Sequence, residues 1–210
     1  MKTTLTITDL QTIFADLSCT MSDNFQLLTD LDAAAGDGDL GITMTKGFAA
    51  AAKVAQDYTE KDVGKLLLAA GVAMAREAPS TLGTLIASGF MKGAKEVAGR
   101  ESLTLADSAR FLNGFVRGVM DRGRSQPGEK TIIDALLPAA EALKSAKPDQ
   151  AIADVWQAAL HAAEAGLEGT RQMKALHGRA AYRGEDSIGK VDGGATVGVL
   201  MVKAIAEAVR

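Results

Sequence analysis

The sequence is poor in several residue types, and each shortage excludes a class of protein. Cys19 is the only cysteine among 210 residues, so an internal disulfide is excluded and a reducing compartment is expected. The N-terminal segment MKTTLTITDLQ lacks the apolar run of a signal peptide. No stretch reaches the ~18 uninterrupted apolar residues that a membrane span needs. The sequence therefore predicts a cytoplasmic protein that does not enter a membrane.

The net charge is also small, and aromatic residues and histidines are few. The formal net charge is only −3, so the sequence predicts no nucleic-acid partner. Aromatic residues make up 4% of the chain, and there are two histidines, His161 and His177. Neither histidine has the partner pattern of a metal site or of a catalytic triad, which argues against histidine-based catalysis.

Hydrophobic residues make up 47% of the chain, and they recur at three- and four-residue spacing. This period predicts eight helices, with Pro138 expected to kink the sixth. Short connectors between them predict an all-α fold, an eight-helix antiparallel up-and-down bundle in which residues 1–210 form a single domain. The predicted bounds are about 8–31 (broken near 19–22), 41–54, from 59 onward, 81–97, 104–122, 131–145, 149–170 and 195–209.

The character of the loops alternates along this bundle. The connectors after the second, fourth and sixth helices are short and plain. The other connectors concentrate glycines, carboxylates, hydroxyls and arginines, and they read DAAAGDGDLG, EAPSTLG, RGRSQPGEKT and HGRAAYRGEDSIGKVDGGAT. Because alternate loops of such a bundle lie at the same end, the sequence predicts a functional site at one end. The last connector, 172–194, is also longer than a simple connection needs.

Asp32, Asp37 and Asp39 fall within eight residues in the first of these loops. Carboxylate oxygens are the hard ligands that Mg²⁺ prefers, and Mg²⁺ commonly shares phosphate oxygens as well. Gly36 allows a ligand to approach the main chain, and the helix that starts near Gly41 offers free N–H groups to anions. Taken alone, an Asp-Gly segment of this kind is more often a solvated turn than a site.

Three standard motifs do not fit this loop. Gly36–Gly41 has the spacing G-x-G-x-x-G, but no strand precedes it and its carboxylates would repel a pyrophosphate. An EF-hand that starts at Asp37 would need an acidic residue at Phe48. Gly64-Lys65 lacks the upstream glycine and the following hydroxyl of a Walker A loop. Any phosphate bound at this loop would therefore be bound through a metal ion.

The other three loops carry groups that suit a nucleotide. The guanidinium of Arg179 can bind two phosphate oxygens at once. Asp192 is followed by two glycines at the start of the last helix, and Ser80 and Thr81 offer hydroxyls at another helix start. Taken alone, each loop also has an ordinary explanation, namely an ion-paired surface loop, a capping turn or a Pro-Gly turn at 127–128.

Together the four loops resemble the L subunit (DhaL) of dihydroxyacetone kinase, the nucleotide-binding component of that enzyme. The similarity spans nearly the whole chain, from the Asp32–Asp37–Asp39 spacing before Gly41 to the last helix. The loop after the fifth helix contributes Arg122-Gly123, Pro127-Gly128, Lys130-Thr131 and Asp134. The most specific part holds Gly178-Arg179-Ala180, Tyr182, Gly184-Glu185, Ser187-Ile188-Gly189, Asp192 and Gly194-Ala195-Thr196.

The resemblance implies a helical bundle with ADP or ATP at one end. It implies two Mg²⁺ ions that join Asp32, Asp37 and Asp39 to the phosphates, and it makes Arg179 the catalytic residue that stabilises charge on the transferred group. It also implies a wider nucleotide-binding set, which consists of Leu40, Gly41, Ile42, Thr43, Ala78, Ser80, Thr81, Gly123, Ile132, Arg179, Asp192, Gly193 and Gly194.

The resemblance further implies that the phosphoryl group passes to dihydroxyacetone, or a related short ketose, held by a separate K subunit. The ultimate donor stays open between free ATP and a phosphotransferase-system M subunit that recharges bound nucleotide, and a homodimer also stays open. Leu40 stands where the family often has histidine, and Thr43 stands where it has asparagine. Ala78–Thr81 is shorter than the family's glycine-rich segment. These differences keep a kinase for another short sugar as an alternative.

Two other functions would use the same binding residues. A non-catalytic nucleotide-sensing adaptor would bind nucleotide and regulate a partner without transferring phosphate. A metal-dependent phosphate-ester hydrolase would release phosphate without any partner. A purely structural bundle would leave the one-sided distribution of loop residues unexplained.

Overall fold

The computed structural model describes residues 2–147 and 149–210, and these residues form nine α-helices and two short strands. Two 3₁₀ segments, Thr170–Gln172 and Arg179–Ser187, lie between the last two helices. In chain order the elements are β1 (Thr4–Thr6), α1 (Ile7–Asp23), α2 (Phe25–Ala33), α3 (Leu40–Gln56), α4 (Val63–Glu77), α5 (Thr81–Glu96), β2 (Ser102–Thr104), α6 (Leu105–Gly123), α7 (Ile133–Lys144), α8 (Ile152–Gly169) and α9 (Gly193–Ala208).

α1 and α2 are one interrupted helix, because only Asn24 separates them. The Asn24 side chain donates to the Thr20 carbonyl oxygen at 2.8 Å, which is the local competition with helical bonding that asparagine favours. The interruption lies a little beyond the predicted break at 19–22. With α1 and α2 counted together, the helical series is the one that the sequence predicts.

The helices pack side by side in a closed ring. The order around it is α1, α3, α4, α5, α6, α7, α8 and α9, and α9 packs back against α1. Apolar side chains fill the interior, where the Phe90 ring packs against Phe14 at a centroid distance of 5.7 Å and edge-to-face against Phe115 at 5.2 Å. The predicted all-α bundle is confirmed, and it has the form of a barrel.

Side-chain caps fix the starts of several helices. Thr104 and Asp107 form a capping box at the start of α6, which agrees with the predicted start at 104, and Thr6 and Asp9 form a second one at α1. The sequence predicts that α4 starts at Thr59, whereas Asp62 is its N-cap and accepts from the Lys65 N–H at 3.2 Å. The helix therefore begins later than the sequence pattern predicts.

The pairing of β1 with β2 is not predicted by the sequence. Thr4, Leu5 and Thr6 pair antiparallel with Thr104, Leu103 and Ser102. Three residues are too few to show a period-two pattern, and the partners lie about a hundred residues apart. The two strands directly precede α1 and α6, so they lie at the end of the barrel where these helices begin.

α7 runs through Pro138 as one helix, Ile133–Lys144. Proline has no N–H, so it cannot bond the carbonyl one turn earlier, which belongs to Asp134. α8 approaches at this point through Gly166, where an added Cβ would overlap that carbonyl oxygen. No helix in residues 2–147 and 149–210 is both long enough and apolar enough to cross a membrane.

The backbones of α5 and α6 approach each other closely at Gly118. A Cβ at Gly118 would lie 2.5 Å from the Ser88 carbonyl oxygen and 2.9 Å from the Gly89 Cα. Both neighbours are backbone atoms, so relief would require the helices to separate. We expect Gly118→Ala to lower the free energy of unfolding by about 1–3 kcal/mol in urea denaturation, despite the better helix propensity of alanine.

Gly169→Ala is the matched control, because the nearest atom to an added Cβ there is 4.0 Å away. We expect this variant to be neutral or slightly more stable, since alanine is the better helix former. Equal unfolding midpoints for the two variants would contradict a packing role for Gly118.

Candidate functional site

Four connectors lie at the end of the barrel opposite to the strands. They are 34–39, 78–80, 124–132 and 170–192, and they follow α2, α4, α6 and α8. This is the grouping that the alternation of loop character predicts. Contacts among these connectors, described below, bring the Asp-rich turn, the α6–α7 connector and the long loop 170–192 together.

Asp32, Asp37 and Asp39 meet at the turn between α2 and α3. One carboxylate oxygen from each lies within 4.8 Å of the others. Asp32 is in the last turn of α2 and Asp39 is the N-cap of α3, and the Asp39 N–H donates to the Asp32 carboxylate at 2.9 Å. Gly38 has φ +77°, a left-handed conformation that lets the chain turn tightly between them. We call these three side chains the Asp triad.

The electrostatics of the Asp triad favour a cation. Burial raises the pKa of the Asp39 carboxyl, and the neighbouring charges of Asp37 and Asp32 raise it further. Arg179 opposes this effect, and its guanidinium lies 2.6 Å from an Asp37 carboxylate oxygen. Three carboxylates at this spacing form a hard, anionic donor set of the kind that suits Mg²⁺.

An open cleft of about 570 Å³ lies beside the Asp triad. Two of its lining residues, Arg179 and Arg183, are cationic, and the others are Ala35, Gly36 and Tyr182. A Cβ at Gly36 would lie 2.8 Å from an Asp32 carboxylate oxygen and 3.2 Å from the Arg179 Cδ, so a side chain here would displace these two groups. The cleft thus joins a carboxylate cluster to a pair of guanidinium groups, a combination that suits a metal-bound phosphate chain.

The start of α9 forms a second part of the site. Asp192 is its N-cap and accepts from the Ala195 N–H at 2.7 Å. Burial raises the pKa of the Asp192 carboxyl to about 6, although the Ala195 N–H and the Lys130 ammonium both lower it. The residue as a whole is partly exposed, whereas its carboxyl is surrounded by protein, which is why burial is the largest cause of the pKa rise.

The predicted residues Leu40, Ile132, Gly193 and Gly194 are neighbours. A Cβ at Gly193 would lie 3.2 Å from the Leu40 Cδ2, and a Cβ at Gly194 would lie 3.3 Å from the Ile132 backbone nitrogen. Leu40 and Ile132 are buried. These contacts link the start of α3, the start of α9 and the α6–α7 connector across the end of the barrel.

Of the next three residues of α3, Gly41 and Thr43 are buried and Ile42 is exposed. Gly41 is buried, and an added Cβ would overlap the Phe25 carbonyl oxygen, so its lack of a side chain serves the α2–α3 contact. Thr43 is also buried, and its N–H already donates to the Asp39 carbonyl at 2.9 Å. Ile42 is 47% exposed at the end of the barrel.

The remaining predicted residues lie around α5. Ser80 is the N-cap of α5 and accepts from the Gly83 N–H at 3.0 Å, while Thr81 is exposed. Ala78 is buried against Gly47, one helical turn beyond Thr43, where a Cβ on Gly47 would lie 2.9 Å from the Ala78 Cβ. Gly123 ends α6, and its nearest neighbours are Ser125 and Leu85.

Two residues of the α6–α7 connector have contacts that the sequence pattern does not indicate. The Glu129 carboxylate lies 2.6 Å from the His177 ring, although the sequence suggests no partner for that histidine. Backbone bonding from Gln126 and the contact with His177 hold the pKa of the Glu129 carboxyl below its usual range. Lys130 is buried and bonds the long loop. Its φ of +61° is the structural sign of an unusual position.

Comparisons with known proteins agree with this geometry. The chain is 33% identical over 186 residues to the "PEP-dependent dihydroxyacetone kinase, ADP-binding subunit DhaL" of Escherichia coli, a match that covers 88% of this chain and 89% of that one. It is 34% identical over 188 residues to the L-erythrulose 1-kinase of Mycolicibacterium smegmatis, which covers 89% of this chain but 33% of that enzyme.

A solved structure has the same fold. The dihydroxyacetone kinase of C. freundii, in complex with AMP-PNP and Mg²⁺, matches with a TM-score of 0.70 and 27% identity. The match covers 94% of this chain and 33% of that one, so the chain spans about a third of the solved kinase. The DAK2 domain matches residues 34–207, which contain all of the helices from α3 to α8 and nearly all of α9. This chain therefore belongs to the DAK2 domain family.

Proposed function

We propose that this chain is the nucleotide-binding subunit of a dihydroxyacetone kinase, which transfers a phosphoryl group from Mg²⁺-bound nucleotide to a short ketose. The observation that carries the proposal is the Asp triad beside a cleft lined by Arg179 and Arg183. The printed name of the E. coli relative and the Mg²⁺–AMP-PNP complex of the C. freundii kinase support it. The continuous hydrophobic core supports one domain over residues 1–210.

In this proposal the Asp triad holds two Mg²⁺ ions against the nucleotide phosphates. Bound Mg²⁺ supplies the charge neutralisation that phosphoryl transfer requires. Mg²⁺ bound at the Asp triad would compete with Arg179 for Asp37, and the guanidinium released from this ion pair would stabilise charge on the transferred group. No side chain of this subunit serves as nucleophile, because the acceptor hydroxyl comes with the ketose.

The rest of the predicted nucleotide-binding set is proposed to surround the bound nucleotide at this end of the barrel. Gly193 lies against Leu40 and Gly194 lies against Ile132 there, and without side chains the two glycines let a ligand approach the backbone at the start of α9. Gly41, Ile42, Thr43, Ala78, Ser80, Thr81 and Gly123 are proposed contacts from α3, from the α4–α5 connector and from the end of α6.

The raised pKa of Asp192 supports a binding role for that residue. A carboxyl placed where burial disfavours its charge costs stability, and such placements are concentrated at functional sites. A helix N-cap could be provided by asparagine or serine at no such cost. We infer that Asp192 is an aspartate because its charge is needed in the nucleotide complex.

The ketose is proposed to be held by a separate K subunit that docks at the exposed loop end, in the cytoplasm. A phosphohistidine-bearing M subunit that recharges the nucleotide is the proposed donor, because the E. coli relative is named as PEP-dependent. The erythrulose kinases at 33–34% identity favour a second candidate, a kinase subunit for a four-carbon ketose. Supplying K subunits with dihydroxyacetone or erythrulose and detecting the sugar phosphate would separate these substrates, and a nucleotide-sensing adaptor would produce neither.

The metal role predicts a specific loss at Asp37. We expect Asp37→Asn to weaken Mg²⁺-dependent ADP binding at least 100-fold in isothermal titration calorimetry, because one of three ligand carboxylates is removed. Asp30→Asn is the matched control, since Asp30 lies on α2 outside the Asp triad and bonds Gln26. Wild-type affinity in Asp37→Asn would overturn the metal role of the triad.

The ion pair between Arg179 and Asp37 predicts opposite effects on metal and on turnover. Arg179→Gln leaves Asp37 without its cation, so Mg²⁺ binding without nucleotide should become several-fold tighter. The same substitution should lower kcat about 10²–10³-fold, because a charge-stabilising donor is lost. Arg183→Gln removes an equal charge without touching Asp37, so it should tighten Mg²⁺ binding less. An unchanged kcat in Arg179→Gln would contradict its catalytic role.

The folded-state pKa of Asp192, about 6, lies above the usual aspartate value of about 3.9. The folded protein binds this proton more tightly than the unfolded chain does, so the stabilisation is complete below about pH 4 and is lost as pH rises through 6. We expect Asp192→Asn to raise Tm by several degrees at pH 7.5 and by nothing near pH 4. Asp62→Asn, which changes the N-cap of α4 at the other end, should show no such pH-dependent gain, and an equal gain there would contradict the account.

A further inference from the structure

Lys130 is a buried lysine in the connector between α6 and α7. It is only 4% exposed, and none of the ion pairs among the described residues includes it. Lysine is almost never buried unless its charge is paired or fully hydrogen-bonded. Burial lowers the pKa of the Lys130 ammonium, which is a cost that its surroundings must offset.

The Lys130 ammonium is instead satisfied by three backbone carbonyls. It donates to Thr170 at 2.7 Å, to Met173 at 3.3 Å and to Lys190 at 2.5 Å. These bonds use all three of its donors. Thr170 is also the C-cap of α8, so the ammonium lies at the negative end of that helix dipole, where a cation is stabilised.

These acceptors lie at the two ends of the loop 170–192. Thr170 and Met173 begin the loop, and Lys190 is near its end. The ends are also joined by the Gly189 N–H to the Arg171 carbonyl at 2.7 Å and by the Asp192 N–H to the Thr170 Oγ1 at 3.1 Å. The Lys130 ammonium therefore adds bonds from another connector to those that close the base of a loop that carries Arg179 and ends at Asp192.

The residue before Lys130 fixes the middle of the same loop. The Glu129 carbonyl accepts from the Leu176 N–H at 3.3 Å, and the Glu129 carboxylate contacts His177 at 2.6 Å. His177 is two residues before Arg179. The connector thus contacts the loop at its base and immediately before the arginine that meets the Asp triad.

The backbone at Lys130 supports a role for the side chain. Its φ of +61° lies in the left-handed region, which is unfavourable for a residue with a Cβ and is readily adopted by glycine. A lysine at such a position is explained when its ammonium contributes more than the backbone conformation costs.

We propose that Lys130 is a positioning residue, which closes the base of loop 170–192 and thereby places Arg179 and Asp192 at the nucleotide site. Its own ammonium bonds only loop carbonyls, so its effect on phosphoryl transfer passes through the residues that the loop places, above all Arg179. This inference rests on the proposed kinase function.

The test removes the ammonium and retains the length of the side chain. Lys130→Met should lower kcat about 10–100-fold with the K subunit present, and it should speed hydrogen exchange in 171–191 while exchange in α3 and α5 stays unchanged. Lys174→Met is the matched control, because Lys174 pairs with Glu185 within the same loop at an exposed position. It should leave kcat and loop exchange near wild type, since exposed pairs contribute little.

A double variant separates positioning from general stability. If Lys130 acts through Arg179, Lys130→Met should lower kcat very little further in an Arg179→Gln background. Multiplicative losses, or loop exchange equal to wild type in Lys130→Met, would overturn the inference. Lys130→Gly fits the φ of this position without strain and is the second variant. If both unfold across the whole barrel, Lys130 stabilises the fold globally and the proposal is wrong.

Different results would refute the kinase function and the positioning role of Lys130. Wild-type protein that binds no Mg²⁺-ADP and forms no sugar phosphate would refute the kinase function, whatever the loop does. Normal wild-type activity with normal Lys130→Met activity would refute only the positioning role.

Discussion

Mutual repulsion among the carboxylates of Asp32, Asp37 and Asp39 is the interaction around which the functional end of this barrel is organised. Their oxygens lie within 4.8 Å of one another, and this proximity helps to raise the pKa of the Asp39 carboxyl. Arg179 offsets part of the repulsion by pairing with Asp37. A divalent cation that brings phosphate oxygens would offset it more fully, and it would release the arginine toward those phosphates.

The barrel provides the rigidity that this arrangement requires. Glycines at the helix contacts let neighbouring backbones approach closely, as at Gly118 and Gly166, so the helix ends that carry the loops are firmly placed. The long loop would still be free to move if it were held only by α8 and α9. Lys130 and Glu129, in the connector between α6 and α7, also bond the loop. The placement of Arg179 therefore depends on contacts from outside its own loop.

Much of the fold and part of the site can be predicted from the sequence, because helical periodicity and loop character are local signals. These signals predict the helical series, the end of the barrel that carries the loops, and the Asp triad. The contact between Glu129 and His177 joins residues 48 positions apart, and the Lys130 bond to Lys190 joins residues 60 apart. No local pattern encodes such contacts, and the pairing of β1 with β2 is unpredictable from the sequence for the same reason.

The central claim is that a divalent cation joins the Asp triad to nucleotide phosphates. Titration of Mn²⁺ followed by electron paramagnetic resonance, with and without saturating ADP, tests it most directly, because Mn²⁺ takes the same oxygen ligands as Mg²⁺. The account predicts that ADP tightens Mn²⁺ binding to the wild-type protein, and that Mn²⁺ tightens ADP binding by the same factor. Mn²⁺ binding that does not change when ADP is added would contradict it.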